Sequence, residues 1–291
     1  MHASVIAFLA IAGAVYGAGL TALWRRGRRR SVRPWQAASF VVGWLVVAFA
    51  LVSPLHDMSE TLFSAHMIQH ELLMVIAAPL LVLGRPVVVM LWGFPKHVRH
   101  ALGGASRNRV FRSGWHALSA PFDAWLIHGV AIWIWHIPRL FEASLESEFV
   151  HAAQHVTFMG SALLFWWTII YPARRAARGM SVIYLFTTAV HTGVLGALIT
   201  MARSPWYTQY ADRAAAYGLT PLADQSLAGM VMWIPASLAY LIATLLIVRQ
   251  WLVDSDVFVN WGQTPIVRIH DVEAAIPSSS TTAVREVQSS A

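Results

Sequence analysis

The chain has 291 residues, of which 57% are hydrophobic and only 12% are charged, and its formal net charge is +7. A soluble domain normally carries about 25% charged residues, so the composition indicates a polytopic membrane protein. The chain contains no cysteine, which excludes disulfides, thiolate nucleophiles, iron–sulfur clusters and cysteine-rich copper or zinc sites. The excess of basic residues is better explained by arginines in cytoplasmic loops than by binding to nucleic acid.

Seven apolar segments are each long enough to cross a hydrocarbon core of about 30 Å as an α-helix. They cover residues 3–24, 35–52, 61–83, 121–137, 149–171, 180–201 and 225–248. The first segment is followed, not preceded, by a basic run, RRGRRR, which predicts a retained helix and not a cleaved signal peptide. Gly13 and Gly17 in this segment form a GxxxG pair, which predicts close packing against a neighbouring helix.

The basic residues alternate between the loops and so predict the orientation. Six arginines lie in 25–33, four arginines and Lys96 lie in 96–116, and three arginines lie in 174–178, whereas the other loops hold few. The positive-inside rule then predicts an all-α, multi-pass protein of a bacterial-type inner (plasma) membrane, with seven transmembrane helices, the N-terminus outside and the C-terminus cytoplasmic.

The domain organisation follows from the last apolar segment and the tail behind it. We predict one transmembrane domain over residues 1–250 and a cytoplasmic C-terminal tail over 251–291. The end of this tail is rich in Ser, Thr and Ala without apolar periodicity, which predicts disorder.

The third segment and the turn before it carry the most informative residues. A polar turn with His56 and Asp57 precedes a helix on which His66 and His70 are four residues apart and are followed by Glu71. Residues i and i+4 lie on one face of a helix, so both imidazoles can bind one metal ion. His70 and Glu71 differ by about 100° around the helix axis, so both need not reach that ion.

Further histidines lie at matching depth in other segments. His151 and His155 form a second pair, HAAQH, at the start of the fifth segment, and His136 closes the fourth. His128 and His191 lie about 13–15 Å below the outer boundary. The candidate metal ligands are therefore His56, His66, His70, His128, His136, His151, His155 and His191. Glu71, Asp57 and Asp224 are candidates for orienting a ligand or for attracting cations at the outer mouth.

Two histidine pairs at the same depth on different helices favour a metal site over isolated hydrogen-bonded histidines. Imidazole suits copper, zinc and iron, and methionine would favour Cu(I). Met58, Met67 and Met74 are close in sequence, but they are better explained as apolar filling.

The sequence resembles the CtaG family of membrane proteins, which is associated with the assembly of caa-type cytochrome c oxidases. The resemblance covers residues of about 40–250 and rests on SPL, HMIQH with APLLVLGRP, WHIP, HAAQH and DQSLAGMVMWIP. It implies seven helices, a role in respiratory-chain oxidase maturation linked to copper delivery, and oxidase subunits as partners. The motif positions that it carries over are His66, His70, His136, His151, His155 and Asp224.

Three alternatives to a copper-binding assembly factor stay open. A membrane metalloenzyme with a mononuclear or dinuclear site is less favoured, because no separate nucleophile or acid–base pair is identifiable. A bis-histidine haem protein needs one histidine on each side of the iron, whereas adjacent pairs suit a compact ion. A scaffold without metal would make the histidines a polar network.

Overall fold

A computed structural model of the protein describes residues 2–27, 31–172, 178–210 and 213–256, and the regular secondary structure of these residues is entirely helical. The all-α prediction is therefore confirmed for the described chain. The last helix continues to Asp256, beyond the predicted boundary at residue 250. The predicted disorder at the end of the 251–291 tail lies outside the described residues, which stop at residue 256.

The chain forms thirteen α-helices over the described ranges. They are α1 His2–Arg25, α2 Pro34–Val52, α3 Pro54–Ser59, α4 Phe63–Glu71, α5 Ala78–Leu83, α6 Pro86–Gly93, α7 Lys96–Ala105, α8 Arg109–Leu118, α9 Pro121–Trp135, α10 Pro138–Glu146, α11 Glu148–Ile170, α12 Arg178–Thr200 and α13 Pro221–Asp256. Many of these helices begin with proline, whose fixed φ suits the first helical position and whose missing N–H is not needed there.

Among the described residues, five helical stretches are long and apolar enough to cross a membrane, and a sixth is reached if α8 and α9, which meet at a bend of 63°, count as one span. They cover residues 3–25, 34–52, 63–83, 178–200 and 221–253. The membrane-protein prediction is therefore confirmed, and the count of seven and the orientation stay predictions. Helix α11 has 23 residues but opens with Glu148, His151, Gln154 and His155, which lower its hydropathy.

Close helix packing at glycine occurs at a different position from the predicted one. A Cβ atom at Gly13 would contact the Trp44 ring at 3.4 Å, but one at Gly17 would meet open space. The tight approach lies two residues further along α1, where Gly19 faces the backbone of Val89 and Gly93 on α6. The GxxxG prediction is thus half right, because spacing alone does not show which face of α1 meets its neighbour.

A π-helical segment, Leu72–Ala77, joins α4 to α5 within the third predicted span. The Trp166 indole N–H on α11 donates a hydrogen bond of 3.0 Å to the Met74 carbonyl in this segment. Short π-helical insertions often accompany functional sites because they change the direction in which side chains leave the helix. Here the insertion follows His70 and Glu71 directly.

Candidate metal centre

The helix that carries His66 and His70 is held at its N-terminus by a residue from α13. The Asp224 carboxylate accepts hydrogen bonds from the backbone N–H groups of Phe63 (2.8 Å) and Ser64 (3.1 Å) and from the Ser64 hydroxyl (2.5 Å). Asp224 is only 1% exposed. A helix N-terminus has unpaired N–H groups and a partial positive charge. A carboxylate there stabilises the helix because it accepts hydrogen bonds from those N–H groups and offsets the positive charge. The structure places Asp224 as an anchor of α4 and not at an open mouth.

Five of the predicted histidines lie together and form what we call the histidine cluster: His66, His70, His136, His151 and His155. The ring centroids of His66 and His70 are 4.3 Å apart, and those of His151 and His155 are 4.5 Å apart. The two pairs face each other across α4 and α11, with 5.6 Å between His66 and His151 and 5.3 Å between His70 and His155. His136, which ends α9, interacts electrostatically with both His66 and His70.

The hydrogen bonds of His66 and His136 indicate which ring nitrogen carries the proton. The Tyr210 hydroxyl donates its only proton to the Ser59 carbonyl at 2.9 Å, so its 3.4 Å contact with His66 Nδ1 requires an N–H there. His136 Nδ1 lies 2.7 Å from the Ile132 carbonyl and must likewise donate. Both neutral rings therefore present an Nε2 lone pair, which is the form that binds a metal ion.

The cluster contains many buried nitrogens without a hydrogen-bond partner in the described chain. They include Nε2 of all five rings and also Nδ1 of His70. Each unsatisfied buried polar atom destabilises a fold by about 1–3 kcal/mol. A ligand that accepts these lone pairs would remove that penalty, so the cluster fits a metal ion better than it fits a closed polar network.

The ring spacing is also compatible with a metal ion. Two imidazoles bound to one tetrahedral ion at about 2.0 Å hold their centroids about 5 Å apart. The centroid distances measured within the cluster run from 4.3 to 6.3 Å. Among the residues that the structure describes, no three His, Asp or Glu side chains already surround one point as ligands would. Metal binding therefore requires the rings to turn about their side-chain bonds.

His128 and His191 form a separate pair. His128 Nδ1 lies 3.0 Å from the Ser161 hydroxyl, which itself donates to the Phe158 carbonyl, so His128 also carries its proton on Nδ1. His191 Nδ1 instead accepts a 3.4 Å hydrogen bond from the Trp133 indole, which places its proton on Nε2. The two histidines interact electrostatically with each other. Their tautomers differ, so only His128 presents an Nε2 lone pair.

His56 lies at the edge of the cluster, with its ring 6.0 Å from that of His151. The Gln69 amide donates to the Ala50 carbonyl at 2.6 Å and to His56 Nδ1 at 3.1 Å. Because Nδ1 accepts this hydrogen bond, the neutral His56 ring carries its proton on Nε2. It is therefore the opposite tautomer from His66 and His136, which carry their proton on Nδ1.

The predicted acidic residues occupy three different environments. Glu71 interacts electrostatically with Tyr240 on α13, and its Oε2 is buried without a hydrogen-bond partner in the described chain. The angle of about 100° between successive helical residues explains why it faces away from His70. Asp57 is exposed on α3. Asp224 is the anchor described above.

Two of the three methionines near the cluster in sequence pack as apolar filling, and the third does not. Met67 and Met74 belong to the main apolar core, where they are 2% and 4% exposed. Met58 is exposed on α3.

Two kinds of residue around the cluster, glutamines and tyrosines, were not predicted from the sequence as part of the site. Both histidine motifs read HxxQH, and the two glutamines, Gln69 and Gln154, are completely buried. This repeated spacing is a signal that the sequence did carry.

Two tyrosines of the 202–220 loop cover the cluster. Tyr207 donates to the His136 carbonyl at 2.9 Å, and Tyr210 binds Ser59 and His66 as described. Burial, followed by the charge of Asp224, raises the pKa of Tyr210, so this phenol remains a proton donor at neutral pH.

Comparison with known proteins gives a family and no fold template. The family model of the cytochrome c oxidase caa3 assembly factor (Caa3_CtaG) matches residues 14–254. An uncharacterized protein of Mycobacterium bovis and one of Mycobacterium tuberculosis are each 28% identical over 251 residues. The matched region covers 81% of this chain but 36% of each relative, so the chain spans about a third of their length. No solved structure matches this chain.

Proposed function

This chain belongs to the family of cytochrome c oxidase caa3 assembly factors, and from that premise we propose that it binds copper through the histidine cluster and supports its delivery to the oxidase. The observation that carries this proposal is the set of five imidazoles whose buried Nε2 atoms have no hydrogen-bond partner in the described chain. Copper is here the cargo of the protein. Oxidase subunits that contain copper would be its recipients, and the lipid bilayer surrounds it.

The chemistry of the cluster supports copper on two grounds. Imidazole nitrogens bind copper well, and copper forms stronger complexes with such sites than most first-row divalent ions do. The sequence has no cysteine, so thiolates cannot hold the metal. Zinc and iron are also compatible with imidazole, and the test below separates them.

The first prediction concerns the metal that the purified protein holds. Protein purified in detergent from copper-replete cells, without chelators, is expected to contain near-stoichiometric copper by elemental analysis. In cells whose only copy of the protein carries His155→Ala, the oxidase is expected to contain less copper than in cells with the native chain. The second effect follows from removal of a side chain whose ring lies 5.3 Å from that of His70 and 4.5 Å from that of His151.

Three results would contradict the proposal in different ways. Zinc in the protein would favour a metalloenzyme with a histidine site. A Soret band and iron would favour a bis-histidine haem protein. No metal at all, together with normal oxidase copper in the His155→Ala cells, would favour a scaffold in which the histidines are structural.

We also propose seven membrane spans with the N-terminus outside, in a bacterial inner membrane. This arrangement adds α9 and α11 as separate spans to the five stretches that qualify by length and hydropathy. Helix α11 lies within the bundle, with nine buried residues, so its polar opening need not contact lipid. The histidine cluster then opens toward the outside, where the recipient domains of an oxidase can be reached.

The second prediction tests this topology, and the absence of native cysteine makes single-cysteine labelling direct. Met58 and Phe149 are exposed at the cluster end of the bundle, and Gly104 is exposed in the basic loop. A membrane-impermeant maleimide is expected to label Met58→Cys and Phe149→Cys in intact cells, and Gly104→Cys only after permeabilisation. Labelling of all three from one side would contradict the crossing of α9.

A further inference from the structure

A cavity of about 250 Å³ lies beside the histidine cluster. Its lining includes Glu60, Glu148, His56, His151 and Arg213. Glu60 and Glu148 are exposed, whereas His56 and His151 are 3% and 7% exposed. The cavity therefore connects solvent-accessible carboxylates with buried imidazoles.

His151 belongs to both the cavity and the cluster. It lines the cavity, and its ring lies 5.6 Å from that of His66 and 4.5 Å from that of His155. Its Nε2 is buried and has no hydrogen-bond partner in the described chain. Of the five cluster histidines, it is the one that lines this cavity.

Glu148 lies one helical turn before His151 on α11, and the two side chains interact electrostatically. Residues i and i+3 are neighbours on a helix surface, so a cation held by the carboxylate lies within reach of the imidazole. Glu60 and Glu148 carry negative charge and Arg213 carries positive charge, so the lining has a net charge of −1. Arg213 donates a 2.6 Å hydrogen bond to the Glu60 carbonyl, which fixes the guanidinium at one wall.

We propose that this cavity is a loading site, in which Glu148, assisted by Glu60, receives the metal cation and His151 passes it to the histidine cluster. Carboxylates attract a hydrated cation and exchange it readily, whereas imidazoles hold copper more tightly. The cation therefore moves from weaker to stronger ligands without leaving the protein. This inference rests on the proposed function, because it assumes that copper is the cargo.

The third prediction concerns the rate of uptake and not the amount of copper bound. Aqueous Cu(II) is mixed with the metal-free, detergent-solubilised full-length protein, and uptake is followed by quenching of tryptophan fluorescence. Glu148→Gln is expected to slow uptake by about tenfold, the lower end of the range of about 10–1000-fold by which charged clefts raise association rates. The final copper content is expected to equal that of the native chain, because the cluster ligands are unchanged.

Glu142→Gln is the matched control. Glu142 lies in the same region of the chain, and its Oε1 accepts hydrogen bonds from the N–H and hydroxyl of Thr208, which a glutamine oxygen can still accept. It removes the same charge outside the cavity lining, and its uptake rate is expected to stay within twofold of the native value. Glu60→Gln provides a second variant of the lining, with a smaller slowing expected.

The outcomes separate this inference from the proposed function. A native chain that binds no copper would overturn the proposed function and, with it, the cargo of the loading site. Copper binding by the native chain, with Glu148→Gln and Glu60→Gln loading as fast as Glu142→Gln, would overturn the loading site alone. Equal slowing by Glu142→Gln would show that surface charge in general, and not this cavity, controls uptake.

Discussion

Replacement of Asp224 by alanine is expected to lower the melting temperature of the detergent-solubilised protein by about 10 °C. The carboxylate accepts three hydrogen bonds at the N-terminus of α4, and loss of charged, buried hydrogen bonds of this kind costs about 3 kcal/mol or more. The same change is expected to weaken copper binding, because the first turn of α4 then loses its anchor and carries His66 with it. Thermal unfolding and elemental analysis measure the two effects.

Two further substitutions distinguish anchoring from general damage. Ser64→Ala removes the hydroxyl bond alone and is expected to cost about 1 kcal/mol, with copper content retained. Asp224→Asn keeps one acceptor oxygen but turns an NH₂ group toward a backbone N–H, so it is expected to fall between Ser64→Ala and Asp224→Ala. If Asp224→Ala keeps the melting temperature and the copper content of the native chain, then Asp224 does not position the cluster.

The anchor illustrates what the sequence could not supply. Asp224 is separated from Phe63 and Ser64 by more than 150 residues, so nothing in the local sequence around either end specifies that contact. From sequence position alone, Asp224 looked like a charge at the mouth of the bundle. Only the packing of α13 against the start of α4 shows that both of its oxygens are used internally.

The paired histidines were predictable because their relation is local. The spacing of four places His66 beside His70 and His151 beside His155 on any α-helix, and the structure shows ring distances of 4.3 and 4.5 Å. The prediction that the two pairs lie close together rested on their equal depth in the membrane. This depth was estimated from the predicted ends of the helices. The metal role of these residues stays a prediction.

Depth alone was not enough for His128 and His191. Both were counted with the other candidates because they lie in the same half of the predicted bundle. In the structure the Nδ1 atoms of the two rings bind Ser161 and Trp133, which lie on neighbouring helix faces that the sequence does not specify. The rotation of a helix about its axis, which decides such contacts, is set by packing and not by segment length.

The count of membrane spans shows a similar limit. Helix α9 has 15 residues before the turn at His136, and α11 begins with polar residues that face the cluster. These polar residues lower the apolar character of α11, so α11 does not qualify as a membrane span by hydropathy. The first turns of α11 carry polar side chains where a membrane span would otherwise carry apolar ones.

The division of the histidines into two sets leads to the prediction with the largest expected effect. The double variant His66→Ala/His70→Ala is expected to lose its copper, with an apparent dissociation constant raised by at least about 100-fold. Loss of an outer-shell partner of a metal ligand alone weakens binding by about 10–100-fold, and this variant removes two of the proposed direct ligands. The double variant His128→Ala/His191→Ala is the matched control, since it removes the same number of imidazoles from the same bundle.

The control is expected to keep its full copper content, because His128 and His191 contact Ser161 and Trp133 instead of the cluster rings. Both double variants are compared for melting temperature, so that a loss of copper through unfolding is recognised. Equal loss of copper from two folded variants would show that the histidine cluster and the pair of His128 and His191 act as one extended site. Retention of copper by both would place the metal away from α4, on α11 and His136, and would leave His66 and His70 with a structural role.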